Sequence, residues 1–564
     1  MKPHYPFQIV AVSLLVGLLT IRCGSEERSP PASSSTPAAD QPDDLAPAGQ
    51  QVFRYFMAEP KTLDVTTRTY EAGGETTLFE TLTYIDINNE LAPGAAERWE
   101  SSPDGKTWTF HLRKTGRWSD GRPVTAGDFV YSFRRSLSPE AASIYAFFYY
   151  DIKNGKPFNR GELKDPTAIG VHAPDDSTFV LETERPCPYL PYIIAYPGSS
   201  PVPSWQVEKY GRLWTDPGKC VSNSSFQLEA WPPGERMVFT RNPYYDGPWK
   251  SKLERVERIF IQPNVVTGTV AYENGEIDLH TVDAVELDHI RKNPVLSREL
   301  DLSPMFTTWY LFFQTTVAPF DNLKVRQAVA HAIDREALCK TVLQGMGLPA
   351  STMRTPGFPG YMGDAVRDAQ RYDLDLARRL MAEAGYPNGR GFPKVDLWLR
   401  GPSAATVGCA QAIQGMLKDN LGISIGVRPV ETKVYMDNMY QLTIPMSFIP
   451  FGADYPDPNA LLNFVWHSKP RGYGRHDWKN EAYDRLVEAA GVELDPTKRM
   501  DQYAAAERIL VEDVGGVFVF HDVAAQLRKP YIGGFEKNRL GYAPLPNLSR
   551  LYIRQLPADR TTRQ

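Results

Sequence analysis

The sequence predicts a mixed α/β protein built from more than one domain, and three observations carry that reading. The chain has 564 residues, enough for about three or four domains at roughly 100–200 residues each. Its composition, 42% hydrophobic and 23% charged, is that of ordinary globular material. Helix-period and strand-period segments alternate through its middle and C-terminal parts. With 62 Lys+Arg against 67 Asp+Glu and a net charge of −5, the chain lacks the basic footprint of a nucleic-acid-binding protein.

Lys2 and His4 precede the apolar run Ile9–Ile21, which is too short for a typical membrane span and reads as a secretion signal. Residues 24–50, rich in Ser, Pro, Ala and acids, predict a flexible tether. Cys23 stands between the two and resembles the modified cysteine of a bacterial lipoprotein, with Arg22 where a small residue is usual. Lipid attachment at Cys23 and plain signal cleavage both place the body outside the cytoplasm.

The elements follow in order. Residues 51–58 have strand character. Residues 107–113 alternate, with Trp108, Phe110 and Leu112 on one face and Thr109, His111 and Arg113 on the other. Thr125 is placed to cap a helix that bears Asp128 in its first turn and Phe129, Phe133 and Leu137 on one side. Trp108 and Trp118 read as core. Strands are predicted within 175–193, 235–247, 256–263 and 306–315. Residues 265–282 predict a helix stopped near Gly275 and then a strand. One amphipathic helix is expected over 321–342, entered through Asp321. Helices over 374–386 and 405–422 close on glycine and lead to strands at 395–400 and 423–430.

The cysteines Cys187, Cys220, Cys339 and Cys409 form no CxxC pair. Cys187 and Cys220 flank one loop region and are candidates for a bridge in an oxidising compartment. Nine histidines without HExxH or a Cys/His cluster give no zinc signature, so no metal and no cofactor is expected.

From WTFHLRKTGRWSDGRPVTAGDFVYSFRR (108–135) onward, the chain resembles the large extracytoplasmic solute-binding proteins that deliver peptides to ABC importers, closest in type to the oligopeptide-binding protein of Gram-negative bacteria. The resemblance continues through RNPYYDG (241–247), ENGEIDL (273–279), APFDNLKVRQAVAHAIDRE (318–336), GADYPDP (452–458) and FHDVAAQLRKPYIGGF (520–535). It implies a two-lobed α/β trap with the ligand cleft between lobes. Mapped here, the first lobe holds domain I (51–84, 206–305 and 525–564) and domain II (85–205), and the second lobe is domain III (306–524). The implied partners are a short peptide, the permease subunits of an ABC importer and, through the lipid, a membrane; the protein is expected to be a periplasmic monomer.

In such relatives the aspartate at the position of Asp454 receives the ligand's amino group. A desolvated ammonium needs a paired carboxylate, so the chemistry is sound, although DYPDP also suits a plain turn. Backbone groups around Phe451, Gly452 and Ala453 and along 306–314, including Trp309 and Tyr310, are expected to hold an extended chain. Tyr145 and Phe148 fall near a stretch that lines the pocket in relatives. Two carboxylate-binding residues of relatives are absent: Phe448 stands for an arginine and Thr406 for a histidine. Arg400 or Arg475 is a candidate replacement cation. A disulfide of relatives is replaced by Thr307 and Gly452. The same trap specialised for a modified peptide or another solute, a peptide sensor or chaperone, and a hydrolase are the competing readings. The sequence carries no GxSxG, P-loop or GxGxxG, so an enzyme is not expected.

Overall fold

Two long strands organise the molecule, Leu300–Phe313 and Gly516–Arg528, paired antiparallel. Both are rich in aromatic and aliphatic side chains, which suits strands covered on both faces. Their register shifts between Pro304, opposite Val523, and Thr308, opposite His521, so that residues 305–307 face Asp522 alone. Such a bulge bends and twists the ladder. On one side of the bend the pair continues into Leu279–Val282, Val52–Met57, Arg255–Phe260, Arg236–Arg241 and Phe226–Ala230. On the other it continues through Met446–Gly452, Val395–Arg400 and Ile425–Val430, with Gly347–Pro349 added beside Asp522. One 11-stranded sheet therefore runs through two lobes joined by two crossing strands. The computed structural model describes residues 44–67, 77–260, 268–468, 476–536, 539–540 and 548–555, all within the unit 43–564.

A separate four-stranded sheet orders Ala96–Ser101, Thr107–Leu112, Thr178–Glu182 and Val171–Asp175. The helix Ala126–Leu137 packs on it, entered through a capping box between Thr125 and Asp128. Phe129, Phe133 and Leu137 are at most 1% exposed, as their spacing predicts. Trp118 is buried and its Nε1 donates to Asp128 at 3.2 Å, whereas Trp108 is only half-buried. The small sheet is tied to the first lobe where Ser119 N–H donates to Ser222 O and Trp118 meets Trp205 edge to face.

Three expectations are corrected. The helix over 321–342 is two helices, Leu323–His331 and Arg335–Thr341, because the Asp334 side chain accepts from Ala337 N–H and starts a second cap; the first is capped by Asn322 rather than Asp321. The last residues of the expected tether are docked: Leu45 bridges Arg554, Ala46 N–H donates to Ile553 O, and Ala46 is buried. Cys23 and the signal lie outside the described residues. Cys187 and Cys220 are both free thiols, in different apolar clusters: Cys187 beside Tyr189 and Leu190, Cys220 against the cluster around Trp214.

Candidate functional site

Val395–Arg400, Ile425–Val430 and Met446–Gly452 run parallel, so their carboxyl ends share one edge. The helix Ala404–Leu421 begins there, and the turn carrying Asp454 leaves there. Open α/β sheets bind ligands in the crevice at this edge. Gly452 pairs with Thr307, and Ala453 N–H donates to Phe306 O at 2.8 Å. These contacts fix the turn to the crossing strand one residue before Asp454, which is 7% exposed.

Behind Asp454 the turn is held by buried polar groups that sequence reasoning did not single out. Arg499 grips Asp457 through two bonds of 2.6 and 2.7 Å, with both residues at most 6% exposed. Burial opposes the charge on Arg499, but Asp457 holds its pKa above the ordinary arginine range. Asp457 Oδ1 also accepts from Asn459 N–H, and the Tyr455 hydroxyl donates to Asn459 Oδ1 at 2.8 Å. Deeper still, Arg354 and Glu507, each fully buried, pair at 2.7 Å. Asp457 and Arg499 are 42 residues apart and Arg354 and Glu507 are 153 apart, so no local pattern signals either pair.

Aromatic side chains from the small-sheet region close over this turn. Phe148 stacks on Phe464 at 5.4 Å and lies 6.3 Å from Tyr455, and Phe147 meets Phe464 edge to face. Tyr189 stacks parallel to Tyr455 at 6.5 Å, and the Arg499 guanidinium lies 5.8 Å from its ring centre. On its own side Tyr189 donates to Asp151 at 2.7 Å, and Arg185 pairs with the same carboxylate. Burial raises the pKa of Tyr189 and of Tyr455 well above the usual phenol value, and it raises that of Tyr192 to about 12. All three are neutral hydrogen-bonding groups at physiological pH. The lobes are thus in contact along an aromatic seam, and one apolar cluster runs through both.

The expected site residues fall into two groups. Asp454, Ala453, Phe451, Tyr310, Tyr145 and Phe148 belong to the seam side: Phe451, Ala453, Tyr310 and Phe148 are buried in its cluster, and half-buried Tyr145 packs against Phe148 and Tyr196. Trp309 and Phe448 lie on the opposite, helix-covered face, by strict alternation from Tyr310 and Ile449. Trp309 contacts Phe448 at 5.0 Å and Phe520 at 5.6 Å there. They do not join the seam. Thr406 is half-buried in the first turn of Ala404–Leu421, three residues before Cys409 of that same helix-covered cluster. Arg400 is exposed at the end of its strand, and Arg475 lies outside the described residues.

His521 also escaped the sequence reading. The Thr308 hydroxyl donates to Met353 O at 2.8 Å, so His521 Nδ1 donates to Thr308 Oγ1 at 2.9 Å. Burial lowers the His521 pKa to about 3. The ring is therefore neutral, with Nε2 an acceptor that has no hydrogen-bond partner among the described residues.

The family model for bacterial extracellular solute-binding proteins, family 5 (middle), matches residues 90–473. The chain belongs to this family. This family-5 protein is 33% identical over 533 residues to the periplasmic oligopeptide-binding protein OppA of Salmonella typhimurium, covering 93% of this chain and 96% of that one. It is 32% identical to the "Probable deoxycholate-binding periplasmic protein YgiS" of Escherichia coli, with 88% and 93% covered. Among solved structures, it superposes on the Haemophilus influenzae OppA complex with RPPGFSPFR at a TM-score of 0.74, with 28% identity and coverage of 90% and 100%. The murein tripeptide-binding protein MppA of Escherichia coli gives a TM-score of 0.76 at 27% identity, with 90% and 98% covered. The two-lobed solute-binding fold is thereby established for this chain.

Proposed function

We propose that the protein binds short peptides outside the cytoplasm and hands them to the permease of an ABC importer. The observation that carries this reading is Asp454, a carboxylate 7% exposed, at the carboxyl edge of the second lobe's parallel strands and under the seam where the lobes meet. A buried carboxylate in that position matches a ligand's α-ammonium, and the charge-assisted bond replaces lost hydration. Backbone groups of Phe451–Ala453 would hold the extended chain, while Tyr145 and Phe148 close over it from the first lobe. Opening and closing about two crossing strands suits capture and release of a ligand. The protein is read as a binder without turnover, a monomer, secreted to the periplasm and tethered through Cys23.

The reading is tested by native mass spectrometry of protein lacking residues 1–23, gently purified and then exposed to a peptide library. Bound peptides of about two to five residues, lost in Asp454→Ala, are expected. A single non-peptide mass, or indifference to every peptide, overturns it.

A further inference from the structure

Arg539 stands where the two lobes meet, and the seam network does not use it. The segment that carries it follows Ile532–Gly533, which pairs with Tyr552–Ile553 and packs with Phe535 on the first-lobe cluster around Trp214. From there it reaches the crossing strand. Phe306 N–H donates to Arg539 O, and Arg539 Nε donates to Pro304 O at 2.9 Å. Phe306 O in turn accepts from Ala453 N–H. Arg539 and Ala453 thus meet the same residue of the crossing strand, one from each lobe, and Asp454 directly follows Ala453. Opposed residues of an antiparallel ladder lie about 5.5 Å apart, so the backbones at Asp454 and Arg539 come within about 10 Å of each other.

The guanidinium is on the seam side of the sheet. It lies 5.1 Å from the ring centre of fully buried Phe306, and that ring belongs to the seam cluster together with Tyr310, Phe451 and Ala453. Phe358 meets the same ring edge to face, and beside it Gly357, at φ +83°, leaves space that a Cβ would take from Arg539 Nη1. Both lobes therefore position the side chain, which is only half-buried. Among the described residues its Nη nitrogens have no acceptor and no carboxylate pairs with it. Burial opposes its charge, and no acid offsets that cost. The other cations of this face are committed, Arg354 to Glu507 and Arg499 to Asp457. Neither Phe448, buried on the helix-covered face, nor Thr406 supplies a cation for a ligand's carboxylate, and Arg400 is exposed at a strand end. A positioned cation without an anion, about 10 Å or less from a buried carboxylate, matches a short zwitterion, since an extended peptide covers that distance in roughly three residues.

We propose that Arg539 is a carboxylate subsite at the hinge: it receives a ligand carboxylate carried within the first three residues, while Asp454 holds the amino group. This rests on the peptide-binding reading above and names the class of peptide it selects. The carboxylate is either the terminus of a di- or tripeptide or an acidic side chain near the amino end. In both cases the ligand's two charges engage one residue from each lobe, so binding draws the lobes together across Phe306.

The test is isothermal titration with two sets of peptides. One compares di- and tripeptides of alanine with their C-terminal amides; the other compares tripeptide amides carrying glutamate at position one or two with the same amides carrying glutamine. In at least one set the wild type should favour the extra carboxylate by about ten-fold or more, the size of a charge-assisted bond, and the set that shows it identifies the source. That preference should fall close to one in Arg539→Gln and in Arg539→Met, which keeps the contact with Phe306, and be largely retained in Arg539→Lys. Each preference is a ratio within one protein, so a general loss of affinity does not mimic the result. An equal preference in the wild type and in either neutral variant, or no preference in the wild type, overturns the subsite while leaving peptide binding intact. Failure of every peptide to bind the wild type overturns both readings.

Discussion

Removing the guanidinium of Arg499 while leaving Asp457 in place should be among the most damaging single changes in the second lobe. In Arg499→Met the apolar volume is roughly kept, but a carboxylate 4% exposed loses both bonds, of 2.6 and 2.7 Å. Orphaning one member of a buried pair costs about 3–5 kcal/mol, a large share of a typical total of about 5–15 kcal/mol. The double variant Asp457→Asn, Arg499→Met no longer buries an unpaired charge, so most of that loss should return, giving a coupling energy of about 2–4 kcal/mol. Urea unfolding of the four proteins of this cycle measures it. Ligand affinity should follow the same order, since Asp457 pins the turn three residues beyond Asp454. Single-variant costs below about 1 kcal/mol that add without coupling would refute the claim that this pair holds the site.

Other outcomes follow from the same geometry. Phe148→Ala removes the ring stacked on Phe464 across the seam; the closed form should weaken by about 2–3 kcal/mol, read as a larger population of open molecules by interlobe fluorescence transfer. Thr125→Ala deletes one side of the capping box on Ala126–Leu137 and should lower stability by about 1 kcal/mol in thermal unfolding. Asp522 has a folded pKa of about 6, above the ordinary 3.8. Its ionisation therefore penalises the folded state above pH 6, and the penalty lifts as pH falls from 6 towards 3.8. The ligand-free stability of wild type relative to Asp522→Asn should accordingly rise over that window. A difference independent of pH would contradict it.

Much of the fold was legible because its elements are local. Alternation placed the strand Thr107–Leu112, and Thr125 with Asp128 and an i, i+4 row of aromatics placed the helix that follows. The error at 321–342 was also local: an aspartate inside an apolar period reads as a surface residue until its side chain is seen to cap a new helix. The crossing strand begins at Leu300, six residues before its aromatic core, because its first half is paid into the ladder by Gly516–Arg528 rather than by its own composition. The site was legible only in part. Asp454 and the rings near Phe148 lie in motifs with a recognisable frame, whereas Trp309 and Phe448 were misplaced because one residue of strand phase decides which face they take. Arg499, His521 and Asp522 carried no signal. Their roles come from partners, or a lack of partners, that only the folded chain brings together.

The central claim is that Asp454 receives the ligand's amino group, and a cycle between protein and ligand tests it most directly. Affinities of one tripeptide with a free and with an acetylated amino terminus would be measured on wild type and Asp454→Asn. Acetylation should weaken wild-type binding by about 10- to 150-fold, the worth of a charge-assisted hydrogen bond, and should change little in Asp454→Asn. The same acetylation penalty in both proteins would show that the amino group is held elsewhere.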